Sequence, residues 1–542
     1  MQKKSSIILL IAIILSIILG AFSLYTPKPQ GSESSGFSSE LAKEHIKEIA
    51  KQPHSIYQQD ALAEVREYIV DEFEELGLES QVFNYKNVAD KNGNLVDMNN
   101  IYTKIDGKDG ENGSYILLAT HYDSSPKKRA GEDGDSRGAA DAGYGISTIL
   151  EILRNIKESG QPLENGIKVL ITDGEEMGLL GAKQEMNENF SLYENVSFVV
   201  NLEARGIKGP ALMFETSINN KKVIDLYKNA NLPVSYSLAA DVYRKMPNGS
   251  DFTEFLKKDL QGINFAVLNN LDYYHTKEDN YDNVSDTSVQ HYGEQVLPIV
   301  EEFVYSSEYN DVNYFKSYND AVFFSFLPNV FITYSDTISI ILTVIAIVLL
   351  LVATRFSKQR VGKVLKYIGT WFAIAIGSVV CGLASSYVIS MITGMKFSLT
   401  YMPKVPAADW ITLVAIVILT ISVGVCIIRR VKSIEDKEAM IFGATWFNGI
   451  LLIIFMIVLP GGSYLFVWPV LLILASMVLS QVIRKNASKF VFLLPLVFTI
   501  IMYVPVLFNI YIALTIGALG VVLLLVVMAL STIIPIVNYL LD

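Results

Sequence analysis

The spacing of apolar and polar positions divides the chain into two regimes. Between residues 38 and 305, short apolar runs alternate with amphipathic stretches. Over 61–76, Leu62, Val65, Ile69, Phe73 and Leu76 recur every three or four residues, the period of a helix with one buried face. Another helix is predicted to begin at Ser38/Ser39, where a serine suits the cap and Glu40 the first turn. A strand is predicted over 80–85. Residues 115–120, 167–172 and 196–202 are apolar runs separated by helical patterns such as 145–156, which predicts parallel strands joined by crossover helices. From residue 331 onward the chain is almost continuously apolar. A membrane-crossing helix needs about 20 mainly apolar residues, and seven such spans are predicted near 332–354, 367–392, 408–428, 440–460, 463–483, 489–508 and 510–534. An eighth, at 7–24, follows Lys3 and Lys4. A secretory leader shares that charged start, but the run is long for a leader's apolar core, so an uncleaved anchor is expected.

Charge sharpens this division. The 542 residues are 18% charged, where a soluble domain averages about a quarter. Residues 26–330 hold 28 Lys+Arg against 49 Asp+Glu, a net of −21, and the remainder carries +10. No basic stripe interleaved with aromatics occurs, which argues against a nucleic-acid partner. Cys381 and Cys426 both lie in apolar runs, so the acidic region has neither a disulfide nor a thiolate metal site. Alternate loops between the apolar spans carry Arg355, Lys358, Arg360, Lys363 and Lys366, then Arg429, Arg430, Lys432 and Lys437, then Arg484, Lys485 and Lys489. The intervening loops carry only Lys396 and Lys404. This bias predicts both termini in the cytoplasm and residues 26–330 on the opposite side. Asp336 and Asp409 sit at span edges, and the near absence of ionisable groups within the spans argues against an ion-coupled carrier. The lipid bilayer is then the bundle's expected partner, with oligomerisation, lipid sensing and simple retention all compatible. The expected plan is a cytoplasmic start and anchor at 1–25, a Pro-, Ser- and Gly-rich linker at 26–37, and a folded domain at 38–305. A juxtamembrane segment follows at 306–331, its aromatic stretch 323–331 at the membrane interface, and then a seven-span domain at 332–542.

Candidate chemistry gathers where the apolar runs end. The first runs into His121-Tyr-Asp123, the second into Asp173-Gly-Glu175-Glu176, the third into Glu203-Ala-Arg205, and a fourth, 263–268, precedes Tyr274-His275. Ligands of parallel sheets bind at these carboxyl ends. His121 and Asp123 suit a metal-binding imidazole oriented by a carboxylate, or an ordinary surface pair. Asp141, just before a helical pattern, is either a metal ligand or a helix cap. Glu175 and Glu176 would repel each other on a plain surface, whereas beside a metal one can bind and the other move protons. Glu203 ends a buried run, where an unpaired carboxylate is costly. Arg205 is a substrate contact or a surface ion pair. His45, His54 and His291 read as structural, and Lys127-Lys128-Arg129 as a solvated loop.

The motifs HYDS at 121–124, GAADAGYG at 138–145, DGEEMGLLGA at 173–182, NLEARG at 201–206 and YYHTKEDN at 273–280 follow in an order and spacing that resemble the co-catalytic zinc aminopeptidases. That family includes bacterial leucyl aminopeptidases and aminopeptidase Y, and the resemblance covers residues 38–305. The NLEARG form and the apolar bundle are more similar to the endoplasmic reticulum metallopeptidases and fungal vacuolar membrane proteases. The resemblance implies an α/β domain with a mixed, largely parallel sheet flanked by helices, beside an all-α transmembrane bundle. It also implies two Zn2+ per chain, His121 and Glu203 holding one, Glu176 and His275 the other, and Asp141 bridging them. Glu175 is then the general base for the attacking water, and Asp123 orients His121. Soluble members commonly carry Asp at the position of Glu203, so the extra methylene puts occupancy of that metal site in doubt. Tyr243 and the stretch 247–255 resemble the pocket-forming loop, with a plain turn as the other reading, and Tyr274 either hydrogen-bonds a developing oxyanion or simply packs. The implied activity is removal of N-terminal residues from peptides with a free amine. It is expected outside the cytoplasm at a cell membrane, or in the lumen of a vacuolar or reticulum membrane. Two further readings stay open: a one-zinc enzyme like glutaminyl cyclase, and a receptor-like interaction protein that keeps the fold without the chemistry.

Overall fold

The computed structural model describes residues 2–126, 135–357, 359–399, 402, 406–431, 433–483 and 488–541. The basic run at 127–129 and Lys358, Lys404, Lys432, Arg484 and Lys485 lie outside them. The chain forms two compact units, an α/β unit over Tyr25–Thr333 and a helical unit made of Met1–Leu24 and Tyr334–Asp542.

Helix α1 (Gln2–Phe22) belongs to the helical unit. The α/β unit then runs α2 (Ser39–Ile49), α3 (Gln59–Glu75), β1 (Ser80–Ala89), β2 (Leu95–Ile105), β3 (Tyr115–His121), α4 (Gly143–Ser159), β4 (Gly166–Thr172) and α5 (Leu180–Glu188). It continues with β5 (Val196–Ala204), β6 (Leu212–Thr216), α6 (Lys221–Tyr227), α7 (Ser237–Tyr243), α8 (Asp251–Lys257), β7 (Gly262–Val267) and α9 (Asp286–Tyr305). A hairpin of β8 (Ala321–Leu327) and β9 (Val330–Ser335) follows. The main sheet has the order β1-β2-β4-β3-β5-β7-β6. Its four central strands β4, β3, β5 and β7 are parallel, and β1, β2 and β6 pair antiparallel. This is the mixed, largely parallel sheet that the apolar runs predict. All four central strands are buried at every residue, because helices cover both faces. Ile116 and Leu118 pack with Ile46, Ile69, Ile149 and Val296 of α2, α3, α4 and α9, while Leu117 and Ala119 pack with Met186 and Phe252 of α5 and α8. Parallel pairing brings the carboxyl ends side by side. His121 lies opposite Thr172, and Ala119 opposite Asn201, so the same register sets Glu203 beside His121. Gly145 lets α4 lie directly on β3, since a Cβ there would fall 2.2 Å from Thr120 Oγ1.

Residues 26–37 have no regular structure beyond turns, yet they are fastened to the domain. The Gln290 side chain accepts from the backbone N–H of Gln30 and of Ser39 and donates to the Phe37 carbonyl. The Phe37 ring is buried against Gly293 of α9, where a Cβ would lie 2.0 Å from Phe37 Cγ. Replacing a helical glycine by alanine ordinarily stabilises by about 1 kcal/mol. At Gly293 the sign is expected to reverse, because the methyl must displace the ring, a clash that costs about 1–3 kcal/mol. Gly293→Ala should therefore lower the thermal midpoint and admit protease to residues 26–36, as a melt and limited proteolysis would read. Within the aromatic stretch 323–331, Phe323 and Phe324 are buried in the α/β unit, and Phe323 packs on Phe331 at 5.9 Å between centroids.

The helical unit adds α10 (Asp336–Phe356), α11 (Val361–Thr393), α12 (Pro406–Arg430), α13 (Ile434–Val458), α14 (Tyr464–Val482), α15 (Leu493–Leu514) and α16 (Leu519–Leu540) to α1. Among the described residues, six helices are long and apolar enough to cross a membrane, and the apolar stretches Ser6–Phe22 and Val414–Cys426 are shorter. The last two spans, predicted to part near residue 509, part instead at Thr515 and the 3-10 turn Ile516–Ala518. Asn509 stays within α15, buried, with its amide donating to the Pro505 carbonyl at 3.0 Å.

Candidate metal centre

The carboxyl ends of β3, β4, β5 and β7 converge on one cluster. His121, the last residue of β3, donates from Nδ1 to the Asp123 carbonyl at 2.9 Å, which turns Nε2 toward the cluster. That Nε2 lies 3.4 Å from Asp141 Oδ1 and 3.6 Å from Glu203 Oε2. Asp141 does not cap α4, whose N-cap is Ala142 without a side-chain bond, so its carboxylate is left to the cluster. The other oxygen, Oδ2, lies 3.3 Å from His275 Nε2, which is 2.7 Å from Glu176 Oε1. Two triads result, His121–Asp141–Glu203 and Asp141–Glu176–His275, with the ligand atoms of each within 4.8 Å of one another. Asp141 belongs to both and offers one oxygen to each.

These residues fit zinc. His121 Nε2, Asp141 Oδ2 and His275 Nε2 are buried without a hydrogen-bond partner, which is uncommon for buried polar atoms. Imidazole and carboxylate are both zinc ligands. Burial disfavours the charged imidazole, yet the carboxylates of Asp123, Asp141 and Glu203 raise His121 well above its ordinary value. Against the same penalty, Glu176 and Asp141 push His275 up to about 9. Burial and the charge of Glu203 push Glu175 well above the usual carboxylate range. The cluster is thus an anionic pocket that favours positive charge between its carboxylates.

Neighbouring groups fix these side chains. The Asp123 carboxylate accepts the backbone N–H groups of Glu175 at 3.0 Å and Glu176 at 3.3 Å, holding the 3-10 turn Glu175–Met177. Asp123 therefore acts twice, its carbonyl on His121 and its carboxylate on the glutamate pair. Lys91, at the β1–β2 turn, donates from Nζ to the Glu176 carbonyl at 2.5 Å and from its backbone N–H to the Met177 carbonyl at 2.9 Å. Glu176 is buried and Glu175 only half-buried. Asn201 donates to Glu203 Oε1 at 3.0 Å, which leaves Oε2 on the His121 side. Asp251, fully buried and accepting from the Thr172 hydroxyl, is pushed up to about 7 by burial and by Glu203. Sequence reasoning missed Lys91, Asn201 and Asp279, and had Asp251 only within the stretch 247–255. Asn201 had a signal, since it stands two residues before Glu203 on the same face of β5. Asp279 lies inside the YYHTKEDN motif. Nothing local marks Lys91.

The remaining candidates sit around the cluster. Tyr274 stacks on the His275 ring with centroids 3.6 Å apart. Tyr243, at the end of α7, meets Phe214 edge-on at 4.7 Å, and burial together with Glu215 and Glu203 raises its phenol. Arg205, just past β5, donates its backbone N–H to the Val267 carbonyl, and its charge acts on Tyr243. His45, His54 and His291 have ring nitrogens engaged by Tyr68, by the Gln52 carbonyl, and by Ala211 N–H and the Leu232 carbonyl, respectively.

Residues 100–300 match peptidase family M28. The vacuolar membrane protease of Candida dubliniensis is 25% identical over 331 residues, covering 58% of this chain and 34% of that protein. The putative endoplasmic reticulum metallopeptidase 1 of Schizosaccharomyces pombe is 32% identical over 230 residues, covering 42% and 26%. Among solved structures, the glutaminyl cyclase of Porphyromonas gingivalis aligns with 50% of this chain and 99% of its own at 19% identity and a TM-score of 0.40. The chain spans about a third or less of the length of these two curated relatives. The matched region, residues 100–300, lies within the α/β unit and contains both triads, so this unit is similar to a metallopeptidase domain of family M28. Among the described residues, the same chain has six helices long and apolar enough to cross a membrane.

Proposed function

We propose that the protein is a membrane-anchored aminopeptidase that uses two zinc ions to hydrolyse the first peptide bond of substrates with a free N-terminus. The observation that carries this reading is Asp141, whose two carboxylate oxygens each face a separate buried triad. His121, Asp141 and Glu203 would hold one ion and Asp141, Glu176 and His275 the other. Zinc in these positions would polarise the scissile carbonyl, make water more acidic and anchor the substrate's amine. Glu175 is the general base. It shares a turn with the ligand Glu176 but is half-buried, and from there it would accept a proton from the attacking water and return it to the leaving amine. Asp123 supports both steps by orienting His121 and by gripping the Glu175 and Glu176 backbone. Tyr274, stacked on His275, would donate to the oxyanion, and Tyr243 and Arg205 would contact the substrate's first residue. The Lys- and Arg-bearing loops support cytoplasmic termini and a peptidase domain on the opposite side, at a cell membrane or facing a vacuolar or reticulum lumen.

The test uses the full chain purified in detergent. Zinc content is measured beside release of the first residue from peptides with free and with acetylated N-termini. Two zinc ions per chain are expected, with hydrolysis only of free N-termini, loss of activity under chelation, and recovery on adding zinc. A single zinc with cyclisation of N-terminal glutamine would favour the cyclase reading. Neither zinc nor hydrolysis would favour a receptor-like protein.

A further inference from the structure

We infer that Asp279 is a positioning residue that ties the loops of Asp141 and His275 together, and that the second triad, with both of these ligands, depends on it more than the first, which has Asp141 alone. The inference rests on the two-cation reading above. The first triad shares Asp141 but takes its other two ligands from strands. His121 ends β3 and Glu203 lies in β5, two strands hydrogen-bonded along the sheet, so the backbone itself sets their separation. The second triad has no ligand in a strand. Asp141 lies in the loop before α4, Glu176 in a 3-10 turn, and His275 in the loop after β7 with φ at 59°. Its geometry must come from side chains that join one loop to another.

Asp123 and Lys91 hold the turn of Glu176. Asp279 joins the other two loops. It stands four residues after His275, is 2% exposed, and reaches across to the chain that carries Asp141. Its Oδ1 accepts the Ala140 N–H at 2.7 Å, and its Oδ2 accepts the Asp141 N–H at 3.4 Å and the Ser136 hydroxyl at 3.2 Å. The Asp279 carbonyl accepts the Arg137 N–H at 3.2 Å, so backbone and side chain grip the same segment. The turn behind it is braced, with Asp279 N–H on the Thr276 carbonyl at 3.0 Å and Thr276 N–H on the Tyr273 carbonyl at 3.2 Å. A charged carboxylate accepting backbone N–H groups makes stronger bonds than a neutral amide. Asparagine matches the size but presents an NH2 to one of these donors. With the tie weakened, Asp141 and His275 lose their common anchor, while His121 and Glu203 keep theirs in the sheet.

The test measures cation binding directly. Full-length protein in detergent is stripped of metal and titrated with Co2+, followed by visible absorption and calorimetry. Glu176→Gln, which removes a ligand of the loop-built triad, identifies the absorption of that site. Asp279→Asn is expected to weaken the same cobalt by about tenfold or more, as loss of outer-shell support typically does. The strand-built site should stay within about threefold, and the melt of the metal-free protein close to wild type. Equal weakening of both cobalts, or affinities both within about threefold of wild type, would overturn the assignment. Should Asp279→Asn fail to fold, Ser136→Ala removes one partner and leaves the carboxylate. Selective weakening of the loop-built site supports the tie, and uniform or absent weakening overturns it. Wild-type protein that binds fewer than two cobalts would instead count against the two-cation reading itself.

Discussion

Glu175→Gln is expected to lower kcat by about 10³-fold, within the range that a positioned general base contributes. The substitution keeps the size and backbone of the side chain and removes only its ability to take a proton. Asp123 grips Glu175 through the backbone N–H at 3.0 Å, so the turn should not move, and Glu176 beside it keeps its place against His275 at 2.7 Å. Zinc content should therefore match wild type and KM should change little, because the lost interaction acts in the transition state rather than in substrate binding. Glu176→Gln should behave differently, losing activity together with metal. Steady-state kinetics paired with metal analysis of both variants separates the roles of the two adjacent carboxylates. Full activity in Glu175→Gln would remove it as the base.

What could be read from the chain followed from how local the signal was. The central strands are covered on both faces, so they appear as unbroken apolar runs, and their ends mark where His121, Glu175, Glu176 and Glu203 emerge. Strand β2 was not legible. Its run contains Asp97, Asn99 and Asn100, because a strand toward the sheet's edge can spend polar side chains on neighbours, as Asn100 does on the Gly181 carbonyl and Glu185. Asp141 was ambiguous because a cap and a ligand before a helix share one sequence pattern; only the start of α4 at Gly143, with Ala142 as the cap, separates them. Composition did not show two packing contacts, at 26–37 and at 323–331. A Pro-, Ser- and Gly-rich segment reads as a tether even when Phe37 is buried against α9, and an aromatic run before an apolar helix reads as an interfacial belt even when Phe323 faces a domain core. Asp279 shows a different limit. Its partners lie about 140 positions earlier in the chain, and no periodicity encodes a contact of that range.

Asp141→Asn is expected to have the largest effect on the metal centre, because among the described residues no other belongs to both triads. Asp141 Oδ1 stands 3.4 Å from His121 Nε2 and Oδ2 stands 3.3 Å from His275 Nε2, so whichever way an asparagine amide faces, one triad meets an NH2 where it had an oxygen. The loss of charge matters as much, since one carboxylate supplies both positions at once. On the two-zinc proposal, the metal content should fall to one per chain or fewer, and turnover should drop by about 10³-fold or more, since a two-metal site stabilises both the attacking and the leaving atoms. The backbone should be unaffected, as the side chain caps no helix and the Asp279 bonds reach main-chain N–H groups that the substitution retains. Ligand present at about 100 times its dissociation constant raises stability by about 2.7 kcal/mol, so adding zinc to the wild type should raise the thermal midpoint. In Asp141→Asn that increment should largely vanish while the metal-free midpoint and far-ultraviolet spectrum stay close to wild type. Differential scanning fluorimetry across a zinc titration, with metal analysis of the same samples, reads both quantities. Retention of two zinc ions with an undiminished midpoint shift would mean that Asp141 does not bridge them.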